Sequence, residues 1–345
     1  MKFKVYFFLI TILLVGFSCG DDDDDGIIEV PEADRTEQQV IDNDSLVSYL
    51  HSHYVNVSLV SNNPTISFTE ININQLPDDG ELPNPDQNSL LIDIVETLTT
   101  TYFDVEYEYY ILKINQGGSE NSPNFSDKVR VSYEGTLMDD TVFDSSSTPV
   151  DFDLTSTIAG WGRVLPEFNI AEDFVINSDG TVTYNNPGIG IMFLPSGLGY
   201  YSAAAGSVPV YSNLIFKFKV FQSELNDHDF DNVPSHLEDI NEDYDLTNDN
   251  SDNDTFADFV DSDDDNDGTL TIDEDLEPDS DLTVDRDGDG DPTNDIGDGD
   301  PTNDDTDGDG IPNYLDPDDT ASRDDDWDYF LDITFLALST IELAF

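Results

Sequence analysis

The sequence is poor in cysteine, histidine and basic residues. Of its 345 residues one is cysteine and four are histidine, while 11 Lys and Arg stand against 77 Asp and Glu. A single cysteine excludes an intramolecular disulfide. The formal net charge of -66 makes nucleic acid and a bare anionic membrane surface unfavourable partners. The acidic charge must therefore be solvated, spread along an extended segment, or neutralised by cations.

The N-terminus has the pattern of a processing signal. Lys2 and Lys4 precede an apolar run over residues 5–17 that is too short for a comfortable membrane span. The only cysteine, Cys19, follows this run, so residues 1–19 resemble a bacterial lipoprotein signal peptide in which Cys19 becomes the acylated first residue. Residues 20–35 form an acidic tether, which is either an export tag like those of bacterial surface lipoproteins or a solvated spacer.

Residues 36–109 are predicted to be helical at the start and mostly loops afterwards. Val40, Leu46, Val47 and Leu50 recur at roughly helical spacing, which predicts one amphipathic helix or two short ones within residues 36–54. Its apolar face is expected to pack against the next domain or, alternatively, to serve dimerisation. A strand over residues 102–114 leads into that domain.

Residues 110–224 show the period of two that is typical of half-buried antiparallel strands. Val129, Val131 and Tyr133 alternate with polar residues, and so do the apolar residues between 214 and 220. Several aromatic residues and one carboxylate lie between these strands, beside strand ends or turn signals. We therefore expect them to converge on one concave apolar site.

Five short motifs follow one another through this segment. They are Tyr133 with Gly135, Phe143-Asp144-Ser145, Ile158 before Gly160-Trp161, Tyr200, and Val208-Pro209 followed by Phe216. Together and in this order they resemble the FKBP-type peptidyl-prolyl isomerases. The resemblance implies an α+β fold, in which an antiparallel half-barrel sheet wraps around a short helix. It also implies isomerisation of X–Pro bonds in polypeptide substrates, with no cofactor for catalysis.

The resemblance also implies a role for each motif residue. Trp161, preceded by Ile158, forms the pocket floor, and the Tyr200 hydroxyl binds a substrate carbonyl. Asp144 either meets the rotating carbonyl carbon or orients Tyr133. The walls are Tyr133, Phe143, Val208 and Phe216. The alternative is that these aromatics are ordinary core, and that the fold serves a non-catalytic peptide-binding or adhesion module.

The segment departs from the family at several positions. Val150 stands where an aromatic wall residue is common, and Tyr201 replaces a glycine after Tyr200. Pro166 is expected to shorten the pocket helix. Residues 171–190 look like an insertion that carries its own hairpin, with Asp179-Gly180 as the turn.

Residues 225–322 are dominated by aspartate at regular spacing. Alternate carboxylates in DDDNDGTLTIDE (263–274) match the ligand positions of a calcium loop, and residues 227–238 and 305–316 repeat the scheme. The segment resembles thrombospondin type-3 repeats and predicts structural Ca²⁺, with a disordered polyanionic tail as the alternative. The predicted ligands are Asp227, Asp229, Asp231 and Glu238; Asp263, Asp265, Asp267 and Glu274; and Asp305, Asp307, Asp309 and Asp316. His228 and His236 are expected to be solvated.

Residues 323–345 end in the apolar run Trp327–Phe345, which is too short and too acidic for a membrane span. A strand, a helix and an interaction tail all fit it. The sequence as a whole predicts a lipid-anchored isomerase of the outer membrane or cell surface, facing the exterior or the periplasm, that acts on exported or cell-envelope polypeptides. Its oligomeric state is not predicted.

Overall fold

The computed structural model describes residues 32–274, 301–303, 305, 308–318 and 320. The proposed lipidation site Cys19, most of the acidic tether, Asp307 and the apolar run at 327–345 lie outside the described residues.

The described chain begins with a helix, as the sequence predicts. Helix α1 (Arg35–Ser52) starts after Asp34, whose side chain accepts a hydrogen bond from the amide of Glu37 at 3.0 Å, which satisfies one of the free amides of the first turn. Three short strands and one helical turn follow: β1 (His53–Asn56), α2 (Val57–Val60), β2 (Asn74–Gln75) and β3 (Asn88–Leu90). The strands form a small antiparallel sheet with β1 in the middle.

The main sheet has six antiparallel strands in the order β4-β5-β10-β11-β6-β7. The remaining elements are β4 (Glu96–Tyr102), β5 (Val105–Asn115), β6 (Lys128–Thr136), β7 (Val142–Asp153), α3 (Ala159–Val164), β8 (Asp173–Ile176), β9 (Val182–Asn185), β10 (Gly188–Leu194) and β11 (Leu214–Glu224). The predicted antiparallel sheet and short helix are confirmed. The predicted boundary between residues 109 and 110 falls inside β5, because β5 pairs with β4 over residues 105–111 and with β10 over residues 110–115.

The sheet is covered on both faces, which explains why every residue of β10 is buried. Ile191 and Phe193 point to the face that packs with Leu46 and Leu50 of α1. Met192 points to the opposite face, where Trp161 and the other aromatics lie. The expectation that α1 packs against the sheet domain is confirmed.

Two predicted departures are also confirmed. Helix α3 has six residues, and Pro166 lies in the 3₁₀ turn that follows it, because proline cannot donate the next helical hydrogen bond. Strands β8 and β9 form an exposed hairpin.

Residues 225–274 fold into loops and three one-turn 3₁₀ helices, in which aspartate side chains accept hydrogen bonds from many of the backbone amides. Asp245, for example, accepts from the amide of Thr247 at 3.2 Å. Val233 and Leu246 are buried beneath these loops. Within the part of the chain that the structure describes, no helix combines the length and the apolarity that a bilayer crossing requires.

Candidate active site

One aromatic cavity of about 390 Å³ opens between α3 and the edge of the main sheet. It brings together every predicted pocket residue except Val208, which is buried in the adjoining core. The residues around it are Tyr133, Phe143, Asp144, Phe152, Ser156, Thr157, Ile158, Trp161, Tyr200 and Phe216.

Three neighbouring strands bring the wall residues together. Tyr133 lies on β6, Phe143 on β7 and Phe216 on β11, and Gly135 of β6 pairs with Phe216. A Cβ atom on Gly135 would lie 2.7 Å from the rings of both Phe143 and Phe216. The absence of a side chain at this position therefore lets the two rings meet edge to face, with centroids 5.4 Å apart.

Trp161 forms the floor and is only 4% exposed. Its ring centroid lies 5.1 Å from Phe216 and 5.7 Å from both Tyr133 and Phe152. Two of these contacts are edge-to-face and the third is tilted. Aromatic pairs of this kind are each worth roughly 0.5–1.5 kcal/mol beyond area burial, and together they favour one orientation of the indole.

Tyr133 and Asp144 form the polar pair of the cavity. The Tyr133 hydroxyl donates to Oδ2 of Asp144 at 2.6 Å. Orienting Tyr133 is one of the two roles that the sequence analysis gave to this carboxylate. Burial raises the pKa of the Tyr133 phenol, and the hydrogen bond to Asp144 raises that pKa further. Burial followed by the Asp144 charge also raises the pKa of Tyr200. Both phenols therefore stay protonated at neutral pH.

Phe152, Ser156 and Thr157 are cavity residues that sequence reasoning missed. Phe152 lies two residues beyond Val150 on the same face of β7 and supplies an aromatic wall residue beside Trp161. Alternation along β7 from Val150 is the signal that could have indicated Phe152.

Residues 119–221 match the FKBP-type peptidyl-prolyl cis-trans isomerase family, and this stretch contains the whole cavity lining. These residues are an FKBP-type domain. The chain is 31% identical over 129 residues to FKBP-type peptidyl-prolyl cis-trans isomerase FkpA of Aeromonas hydrophila, an alignment that covers 36% of this chain and 41% of the relative.

Two further similarities concern proteins of Escherichia coli. The FKBP-type 22 kDa peptidyl-prolyl cis-trans isomerase is 31% identical over 113 residues, covering 32% of this chain and 47% of the relative. The crystal structure of FkpA is 27% identical with a TM-score of 0.28, covering 34% of this chain and 48% of that one. The chain spans less than half the length of the curated relatives it matches.

Helix α1 holds the loop of the FKBP-type domain that carries Tyr200. Asp42 of α1 accepts from the Ser196 amide at 2.9 Å and from its hydroxyl at 2.6 Å. Tyr201 donates its hydroxyl to the carbonyl of Ala33 and has φ +50°. That left-handed conformation is the one glycine adopts most readily, so a glycine would fit this position without backbone strain.

Carboxylates of the acidic segment gather in two places that the sequence predicted in part. The first we call the buried carboxylate group: Asp229, Asp231, Glu238 and Asp264. Asp227, the predicted fourth ligand, instead accepts from the amides of Phe230 at 2.7 Å and Asn232 at 3.2 Å. The second place joins Asp263, Asp265 and Asp267, with Glu274 buried at the end of the same loop.

The third predicted calcium loop is described only in part. Of the third predicted loop, Asp305 accepts from the amides of Gly308 and Gly310, each at 2.7 Å, and Asp316 is buried. A group that the sequence analysis missed consists of Asp252, Asp254 and Asp261.

The buried carboxylate group fits a cation. Glu238 is 0% and Asp264 1% exposed, and neither oxygen pair has a hydrogen-bond partner among the described residues. Burial, with the neighbouring negative charges, raises the pKa of Glu238 to about 10 and that of Asp264 to about 11. Without a cation these carboxyls would be neutral at pH 7, whereas buried carboxylates that keep their charge are ordinarily paired or bound to metal.

The two histidines of this segment are not solvated, contrary to the expectation. His228 lies between the acidic segment and the FKBP-type domain. Its Nδ1 is 2.8 Å from the Ser235 hydroxyl of the acidic segment, and its Nε2 is 3.2 Å from Oδ2 of Asp153 in the domain. His236 is partly buried, and burial lowers its pKa. The prediction failed because the segment packs against the FKBP-type domain.

Proposed function

We propose that this chain is a peptidyl-prolyl cis-trans isomerase that acts on exported or cell-envelope polypeptides and is anchored as a lipoprotein. The observation that carries the proposal is the aromatic cavity with its Tyr133–Asp144 hydrogen bond, which lies wholly within the stretch that matches the family.

The reaction needs a shaped, dry site more than it needs reactive groups. Rotation about an X–Pro amide has a barrier of about 18–20 kcal/mol, because the C–N bond is partly double. The planar amide is more dipolar than the twisted one, so water stabilises the ground state more. A cavity that excludes water and fits the twisted amide lowers the barrier by differential binding.

The cavity provides these features with few side chains. The faces of Trp161 and Phe216 offer an apolar surface for the proline ring. The Tyr200 hydroxyl is a donor for a substrate carbonyl. Asp144 fixes the direction of the Tyr133 hydroxyl and lines the cavity in which the substrate amide would rotate.

A proline-isomerisation assay of the full chain on a short X–Pro peptide tests the proposal. Asp144→Ala should lower kcat/KM by about tenfold to a hundredfold, since hydrogen bonds to charged groups are worth ~1.5–3 kcal/mol. Asp139→Ala, which removes an exposed carboxylate from the turn after β6, is the matched control and should behave as the parent. Equal rates for Asp144→Ala and the control would exclude the site. A chain that binds the peptide without accelerating its isomerisation would be the non-catalytic module.

Structural calcium in the acidic segment is part of the same proposal. The donors are carboxylate oxygens, which Ca²⁺ prefers, and extracellular sites of this kind bind with Kd of roughly 10⁻⁴–10⁻³ M. The fit of the buried carboxylate group, whose oxygens lie within 4.8 Å of one another, supports it. Hydrodynamic radius with and without a chelator is the test: calcium should compact the chain, and an unchanged radius would favour the polyanionic tail.

The lipid anchor is proposed from the sequence pattern around Cys19. Labelled fatty acid should be incorporated into the full chain expressed in a bacterium with an outer membrane, and Cys19→Ser should abolish both the label and the recovery in the membrane fraction. Equal labelling of both chains would refute the anchor. Protease accessibility of intact cells then separates a surface-facing from a periplasm-facing protein.

A further inference from the structure

The buried carboxylate group joins two loops that lie far apart in sequence. Asp229, Asp231 and Glu238 belong to the first predicted calcium loop, whereas Asp264 is the second residue of the next loop. One oxygen from each lies within 4.8 Å of the others. Two oxygens on opposite sides of a calcium ion, each at 2.3–2.6 Å from it, are separated by about this distance.

The burial of these side chains requires a compensating partner. Asp231 uses one oxygen to accept from the amide of Val233 at 2.8 Å, and its other oxygen is buried without a hydrogen-bond partner among the described residues. Both oxygens of Glu238 and of Asp264 are in the same situation. All four members are carboxylates, an oxygen-only donor set that favours calcium over zinc, which prefers nitrogen and sulfur.

The first loop is attached directly to the rim of the isomerase cavity. We define the rim as residues 153–157, of which Ser156 and Thr157 line the cavity. Oδ1 of Asp153 accepts from the amide and the hydroxyl of Thr155 at 3.0 and 2.7 Å, which shapes the rim turn. Oδ2 of the same carboxylate lies 3.2 Å from Nε2 of His228, the residue before Asp229.

The second loop supports the same contact from the other side. The ring of Phe259 packs edge-on against His228 with centroids 5.4 Å apart. The imidazole therefore lies between the rim of the FKBP-type domain and the turn that precedes the Asp264 loop. Drawing the two loops together around an ion would immobilise this imidazole, and with it Asp153.

We infer that the buried carboxylate group binds one calcium ion shared between the two loops, and that this ion fixes the rim of the isomerase cavity through His228 and Asp153. The binding site stands on its own geometry, while its effect on catalysis rests on the proposed function. Calcium thereby lowers KM for the peptide, because an ordered rim presents Ser156, Thr157 and Ile158 in one arrangement.

The experiment measures calcium binding and rim order separately, on the full chain after chelator treatment. Calorimetry with calcium chloride gives the number of ions bound. Hydrogen–deuterium exchange of residues 153–158 with and without calcium gives the order of the rim. The variants are Glu238→Gln with Asp264→Asn, His228→Ala, and a control of equal charge change at exposed positions, Asp78→Asn with Glu81→Gln.

The parent and the exposed control should bind the same number of ions and show slower rim exchange when calcium is present. The Glu238→Gln, Asp264→Asn chain should bind one ion fewer and lose the slowing. His228→Ala should bind the full number of ions, yet calcium should no longer slow its rim exchange. This result would separate the role of the His228–Asp153 contact from that of the ion site. Unchanged stoichiometry in the double variant would overturn the site, and calcium-insensitive rim exchange in a parent that binds calcium would overturn the coupling.

Isomerase kinetics complete the test. In the parent, calcium should lower KM more than it changes kcat, and His228→Ala should have the same KM with and without calcium. If no chain accelerates isomerisation, the proposed function fails while the binding and exchange results still decide the ion site. A parent KM that calcium leaves unchanged, in an active enzyme, would refute the effect on catalysis.

Discussion

Asp42 offers the sharpest test of how α1 supports the loop that carries Tyr200. This carboxylate is 2% exposed and accepts from the Ser196 amide at 2.9 Å and the Ser196 hydroxyl at 2.6 Å. Its other oxygen accepts from Gln38 at 2.7 Å. The backbone carbonyl of Asp42 also accepts from the side chain of Asn213 at 3.0 Å. One residue of α1 therefore holds both ends of the loop that carries Tyr200.

Asp42→Ala should destabilise the protein by about 2–4 kcal/mol, since a buried donor left without an acceptor costs ~1–3 kcal/mol and Ser196 presents two. Burial raises the pKa of Asp42 itself, so removing the carboxylate also relieves a desolvation cost. The loss of stability should therefore lie near the lower end of this range. Asp42→Asn keeps an acceptor for Ser196 and should cost less than half as much.

Urea unfolding followed by tryptophan fluorescence measures the free energy, with Asp44→Ala as the matched control on the exposed face of the same helix. The m-value should not change. In the isomerase assay Asp42→Ala should raise KM more than it lowers kcat, because the loop loosens while the Tyr133–Asp144 pair is untouched. A free energy of unfolding for Asp42→Ala within ~0.5 kcal/mol of the control would refute the reasoning.

Three further outcomes are expected. Gly135→Ala should reduce kcat/KM and stability together, because the new methyl group would press on Phe143 and Phe216; parent-like peptide kinetics would contradict this. The value of kcat/KM should stay constant between about pH 7 and 9, since burial raises the pKa of Tyr133 above its ordinary 10.0; a pH–rate profile that falls within this range would show that the phenol ionises early. Replacing the exposed hairpin at 173–185 by two glycines should leave kcat/KM unchanged, and a loss of rate in the peptide assay would show that the hairpin contacts substrate.

The parts of the fold that the sequence predicted depend on local periodicity. Alternation around Tyr133 and Phe216 identifies two strands that are neighbours in the sheet. The shortened α3 follows from Pro166, and the β8–β9 turn from Asp179-Gly180. Each of these signals is read within a few residues of the feature it specifies.

The parts that could not be predicted arise from contacts between distant segments. Phe152 becomes a cavity residue because Trp161 of α3 packs against its face of β7, with ring centroids 5.7 Å apart. Asp264 occupies an even position in its own loop, where alternation assigns no ligand, and it joins the neighbouring loop instead. His228 was expected in solvent because nothing near it in sequence indicates Asp153 as a partner.

The double covering of β10 has a consequence for how this protein can be dissected. The stretch that matches the family, cut out on its own, would lay bare the side chains of Ile189, Ile191, Phe193 and Ile215 that now contact α1 and the small sheet. Such a fragment would expose an apolar sheet face to water and would aggregate. The residues that precede the matched stretch therefore cover one face of its sheet, and a truncation that removed them would expose that face to water.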